Sequence, residues 1–138
     1  MIDAITTLEA IFGIDSELSF RLAFRVAGLL ADSEAQRGEL FDSMRRFYNT
    51  RSTIVHGGTL SAKHREDLGK ISELRYLVRQ LLRSFIAFAV NPPAEYSKRF
   101  FKDHLDTALL NAVERKKLRT ALGLNDSTVN DAGRRISA

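Results

Sequence analysis

Apolar residues recur along most of this chain at intervals of three and four, with almost no strand-like alternation, so the pattern predicts an all-α fold. A short first helix is expected over about Ala4 to Phe12, presenting Ile5, Leu8, Ile11 and Phe12 and stopping at Gly13. A second, about Ser16 to Ala31, starts from Asp15 or Ser16 as N-cap and carries Leu18, Leu22, Val26, Leu29 and Leu30 on one face. Glu17, Arg21 and Arg25 repeat along it every four residues. Ser33 with Gln36 three positions later has capping-box spacing and opens a third helix that runs to Gly57-Gly58. Its apolar stripe is Leu40, Phe41, Met44, Phe47, Tyr48 and Val55.

A cap at Ser61 starts a long fourth helix reaching about Val90. Its wide stripe holds Leu68, Ile71, Leu74, Leu77, Val78, Leu81, Leu82, Phe85 and Ile86. Asn91-Pro92-Pro93 ends it, because proline cannot continue a helix and disfavours helical geometry in the residue before it. Two shorter helices, about Ala94 to Lys102 and Leu105 to Leu122, would close the bundle through Phe100, Phe101, Leu105, Leu109 and Leu110. The expected architecture is therefore a bundle of five to six helices in one domain, residues 1–124. Residues 125–138, NDSTVNDAGRRISA, are too poor in apolar groups to offset their ordering entropy and read as a mobile polar tail.

Composition narrows the chemistry. The chain has no cysteine, which excludes disulfides, thiolate metal sites and thiol nucleophiles and makes a cytoplasmic location the expectation. No apolar run approaches the ~20 residues that span a bilayer, and MIDAITTLEAIF has no basic leader, so no membrane role is expected. Residues 1–60 hold six Lys/Arg against eight Asp/Glu, whereas residues 61–138 hold fifteen against nine, so the excess positive charge lies in the second half. Arg75, Arg79 and Arg83 repeat every four residues and drift about 40° per step, making a positive stripe opposite the apolar face of the fourth helix. Such a stripe is either a solvated face or a track for a nucleic-acid backbone.

The stretch YNTRSTIVHGG, residues 48–58, holds the main candidate site. Arg51 falls within the apolar stripe of the third helix, where a guanidinium needs a charge partner or a polar cavity. His56 follows after four intervening residues, about 140° away on an ideal helix, so the two cannot converge on a straight one. Unwinding of the last turn at Gly57-Gly58, or a second subunit across a two-fold axis, would bring such side chains together. An imidazole and a guanidinium in one partly desolvated place make a phosphate-handling pair. The structural alternative has Arg51 paired with a carboxylate such as Glu9 or Glu17, and His56 terminating the helix as a favourable C-terminal imidazole. His64 and His104 read as ordinary surface histidines.

The runs LEAIF, ELSFRLAFRVAGLLA and FDSMRRFYNTRSTIVHGG resemble the HEPN superfamily, specifically the Apea-like HEPN domains, over residues 4 to about 90. The resemblance implies a helical bundle that dimerises around an R-x-x-x-x-H motif and, in active members, cuts single-stranded RNA without metal or cofactor. In that reading Arg51 and His56 are catalytic, and Ser52, Tyr48 and Asn49 support them. His56 would act as general base or acid in attack of a ribose 2′-hydroxyl, worth ~10²- to 10⁴-fold. Arg51 would stabilise the phosphorane, and loss of such a donor costs on the order of 3 kcal/mol. Ser52 stands where active members often carry Asn, Asp or His; its hydroxyl can bond phosphate but cannot supply their basicity.

The implied function is a toxin or phage-defence ribonuclease, with single-stranded RNA as substrate, a homodimer as the working form, and an antitoxin or a longer defence protein as its context. The alternative is a non-catalytic HEPN-like module that dimerises or binds a partner, RNA included, through the same helical surface.

Overall fold

The computed structural model describes residues 1–13, 16–96 and 99–124, and every regular element among them is a helix. In chain order these are α1 (Ile2–Phe12), α2 (Leu18–Leu30), α3 (Glu34–Val55), α4 (Ala62–Gly69), α5 (Ile71–Val90), α6 (Phe100–Asp103), α7 (Leu105–Leu110) and α8 (Ala112–Ala121). The all-α bundle expected from the periodicity is present. The tail at 125–138 and the Asp15 cap lie outside the described residues.

Helix ends follow local chemistry. Gly13 adopts the left-handed conformation at φ 57° and donates its N–H to the Glu9 carbonyl at 2.9 Å, closing α1. Ser33 and Gln36 form the capping box that opens α3: Ser33 Oγ accepts from the Gln36 N–H at 3.2 Å, and Gln36 Oε1 accepts from the Ser33 N–H at 3.3 Å. α2 begins at Leu18, later than expected, with Glu17 in the left-handed region at φ 50°.

Three further element boundaries differ from the sequence expectation. The long fourth helix is two helices, α4 and α5, broken at Lys70 just after Gly69, the residue type that most weakens a helix interior short of proline. The Lys70 N–H turns back to the Asp67 carbonyl at 3.1 Å, a tighter bond than the helical one. The expected Leu105 to Leu122 helix divides at Asn111, whose side-chain oxygen accepts from the Val113 and Glu114 N–H groups and so starts α8 afresh. The stretch from Ala94 forms no helix before Phe100 among the described residues.

The core lies between α1, α2, α3 and α5, with Ile5, Leu8, Leu22, Leu29, Met44, Phe47, Leu74 and Leu81 fully buried. A chain of ring contacts ties the C-terminal helices to this core: Phe12 meets Phe85, Phe85 and Phe88 both meet Phe101, and Tyr96 bridges Phe88 and Phe100. Four apolar positions assigned to interior stripes are exposed instead: Val55 at 49 %, Leu82 at 38 %, Ile86 at 56 % and Leu110 at 73 %. Each sits at a stripe margin or past the last neighbouring helix, where periodicity continues but nothing covers it. No helix among the described residues is long and apolar enough to cross a membrane.

Candidate functional site

α3 carries Arg51 and ends at His56, and its last turn does not unwind. The His56 N–H still donates to the Ser52 carbonyl at 3.0 Å, so the helical ladder runs through the whole R-x-x-x-x-H segment. The turn comes afterwards: Gly57 takes φ +67° and bonds Ile54, and the Gly58 N–H donates to the Thr53 carbonyl at 2.8 Å. A Cβ on Gly58 would stand 2.9 Å from Thr53 Cγ2, so the second glycine is needed for close approach as the first is for conformation. With the helix intact, the angular separation of about 140° stands and one chain does not bring Arg51 and His56 together.

Arg51 is partly buried and points inward. Its Nη2 lies 3.6 Å from Glu9 Oε2 on α1, its guanidinium lies over the Tyr48 ring at 5.9 Å, and its Nε is buried with no hydrogen-bond partner among the described residues. Of the two carboxylates considered from the sequence, Glu9 is the partner found. A 3.6 Å separation is an ion pair without a close hydrogen bond, so the guanidinium keeps donor capacity. His56 is exposed as C-cap of α3, and Asn49 is exposed, while Ser52 and Tyr48 are partly covered.

Behind this segment lies a polar contact that the sequence pattern did not disclose. Thr50 is fully buried, and its Oγ1 donates to Oδ2 of buried Asp67 on α4 at 2.9 Å. Arg46 Nε stands 3.5 Å from the other Asp67 oxygen. The contact fastens α4 to the last turns of α3, so it sets where the Gly57-Gly58 turn and His56 sit. Thr50 lies about 60° outside the apolar stripe of α3 on ideal geometry, so no spacing signalled its burial.

The second such feature is larger. Arg25 is only 2 % exposed, the most voluminous fully buried side chain among the described residues. Its Nε donates to Asp106 Oδ1 at 2.6 Å, its Nη2 to Asp106 Oδ2 at 2.9 Å, and its Nη1 to the Phe12 carbonyl at 2.9 Å. Arg21 also binds Asp106, through Nη2 at 3.0 Å. The spacing of Glu17, Arg21 and Arg25 thus places the two arginines on α7's carboxylate. Partial burial favours the neutral carboxyl of Asp106, yet hydrogen bonds and charge from Arg25 and Arg21 outweigh it and hold the group below the usual aspartate range.

Of the remaining candidates, Arg75, Arg79 and Arg83 are all exposed on α5, but on helical geometry the row runs beside Leu82 and Ile86 of the expected apolar stripe and not opposite it. His64 is not a plain surface histidine: its Nδ1 accepts from the Ser61 N–H at 3.2 Å and completes a capping box at the start of α4. His104 is exposed at the N-cap of α7. Among the described residues no group of three or more His, Asp or Glu side chains gathers as metal donors. Comparison of the chain with protein-family models, with curated proteins and with solved structures finds no match.

Proposed function

We propose that this protein is a metal-independent endoribonuclease of the HEPN kind, acting on single-stranded RNA as a homodimer in a toxin or phage-defence setting. The observation that carries the reading is the exposure of His56 at the end of α3, one turn beyond an arginine whose donors are incompletely used. Because the pair diverges on an intact helix, the site needs two chains, with both copies of α3 ending near a two-fold axis.

In the reaction, one His56 takes the proton of the ribose 2′-hydroxyl as O2′ bonds to phosphorus. The P–O5′ bond breaks as the other His56 gives a proton to the leaving oxygen. The products are a 2′,3′-cyclic phosphate and a free 5′-hydroxyl. Arg51 stabilises the charge on the phosphorane oxygens. Ser52 supplies a hydroxyl toward phosphate, and Tyr48 with Asn49 lines the approach.

Purified protein incubated with labelled single-stranded RNA in EDTA tests this. Cleavage leaving cyclic phosphate ends, abolished by His56→Ala with helical circular dichroism unchanged, is the expected result. Wild type without cleavage above the His56→Ala control would sink it, and a requirement for added metal would sink the mechanism. The second reading, a non-catalytic module that dimerises or binds a partner, is favoured by one contact. Glu9 beside Arg51 gives that arginine a structural partner and places a negative charge where a phosphate would come.

A further inference from the structure

The outward face of α5 carries two rows of side chains, each advancing by four residues. One row is Arg75, Arg79 and Arg83; the other is Leu82, Ile86 and Val90. On ideal helical geometry all six fall within an arc of about 100°. All six are exposed, and Ile86 and Val90 are so to 56 % and 80 %. No Asp or Glu of α5 falls on this face: Glu73, the helix's one carboxylate, lies about 80° or more outside the arc. Positive charge with no α5 carboxylate beside it and bare aliphatic surface therefore occupy the same strip, about 23 Å long from Arg75 to Val90, with Asp3 of α1 near its arginine end.

We infer that the outward face of α5 is a docking surface for an acidic amphipathic helix of another protein. Charge complementarity selects the occupant. Three guanidinium groups at one-turn spacing match carboxylates at the same spacing on a facing helix, and the planar fork favours carboxylate bidentately. Two parallel ridges of four-residue step leave a groove that receives the corresponding ridge of a second helix. At the arginine end, a hollow of about 270 Å³ opens between α1 and α5, lined by Ala4, Thr7 and Val78 and by Asp3 facing Arg75 and Arg79, large enough for one side chain of a docked helix. Arg79 is held along the helix by its Nε bond to the Arg75 carbonyl at 3.3 Å.

Other occupants fit less well. A second copy would bring two arginine rows together with no acidic residue from either α5 face to answer them. An RNA strand uses the arginines but leaves Leu82, Ile86 and Val90 without partners, and Tyr76, about 20° beyond the arc, is partly covered and bonded by Gln80. A bilayer surface would be met by three aliphatic side chains and no aromatic one, a small apolar area for interfacial binding.

The test is selection, on the intact protein, from a displayed library of helices with one face randomised, followed by titration of the selected peptides. Selected sequences should carry Asp or Glu at four-residue spacing beside an aliphatic row. Their affinity should fall about tenfold or more for Arg79→Glu and for Ile86→Arg, and should weaken with salt. Amide shifts on binding should map to α5. Both substitutions are at exposed positions, and unchanged circular dichroism excludes misfolding. Absence of enrichment, or selected helices without acidic residues, overturns the proposal. So does concentration-dependent dimerisation lost with Ile86→Arg, vesicle binding, or single-stranded RNA binding lost with Arg79→Glu. RNA cleavage by His56 is measured separately, so failure of either reading leaves the other standing.

Discussion

Arg25 on α2 and Asp106 on α7, 81 residues apart, form a two-bond pair at 2.6 and 2.9 Å inside the bundle. The pair closes a loop of chain that contains α3, α4, α5 and α6. Arg25 also donates to the Phe12 carbonyl near the end of α1, so one guanidinium joins three helices. Such a charge is tolerated because its donors are met and its stem is packed; it becomes costly once a partner is removed.

Asp106→Ala is expected to destabilise the protein by about 3–5 kcal/mol, because it leaves Arg25 charged and enclosed. Arg25→Met combined with Asp106→Leu should recover part of that loss, since it removes the enclosed charge while Arg21 still loses its carboxylate. Urea unfolding of the three proteins checks this. Equal losses in the single and double variants would show that the pair does not control packing here.

Stability should fall in acid through the same carboxylate. Asp106 titrates below its unfolded value, so its contribution is complete above the ordinary aspartate range near about 4 and is lost as pH drops through the lower folded value. The denaturation midpoint of wild type should decline through that window more steeply than that of Asp106→Asn. Parallel curves for the two proteins would contradict the assignment.

Thr50→Val keeps the volume but deprives buried Asp67 of the donor at 2.9 Å. An unanswered buried acceptor costs about 1–3 kcal/mol, read as a lower thermal midpoint. Ser52→Ala, two positions along on a partly exposed surface, should change stability by no more than about 0.5 kcal/mol. Because Asp67 fastens α4 to the end of α3, amide exchange near Gly57 should also rise in Thr50→Val and stay unchanged in Ser52→Ala.

Glu9→Gln separates the two roles open to Arg51. The pair is 3.6 Å apart and retains solvent contact on both sides, so its loss should cost about 1 kcal/mol or less. With the carboxylate neutralised, Arg51 has more of its charge to offer a phosphate, and binding of single-stranded RNA should tighten with a steeper salt dependence. A large loss of stability with no change in RNA binding would assign Arg51 to the fold alone.

The helical class, the stops at Gly13 and Gly57 and before Pro92, and the capping box at Ser33 were all legible from order along the chain. Each depends on residues within a turn or two of one another: a left-handed glycine, a missing N–H, a side chain reaching the third amide along. Arg51 in an apolar stripe was legible too, and Glu9 was one of the two partners its position suggested. What only the tertiary structure decided was which helix lies opposite each face. Arg25 occupies the apolar stripe of α2 as Arg51 does that of α3, but its partner is 81 residues away and no local spacing points to it. Leu82 and Ile86 continue the period of α5 yet remain exposed, because burial requires a neighbouring element and not a period alone. That the last turn of α3 stays intact was seen only in the structure: the Gly57-Gly58 turn absorbs the change of direction after His56, so Arg51 and His56 of one chain stay on different sides of their helix.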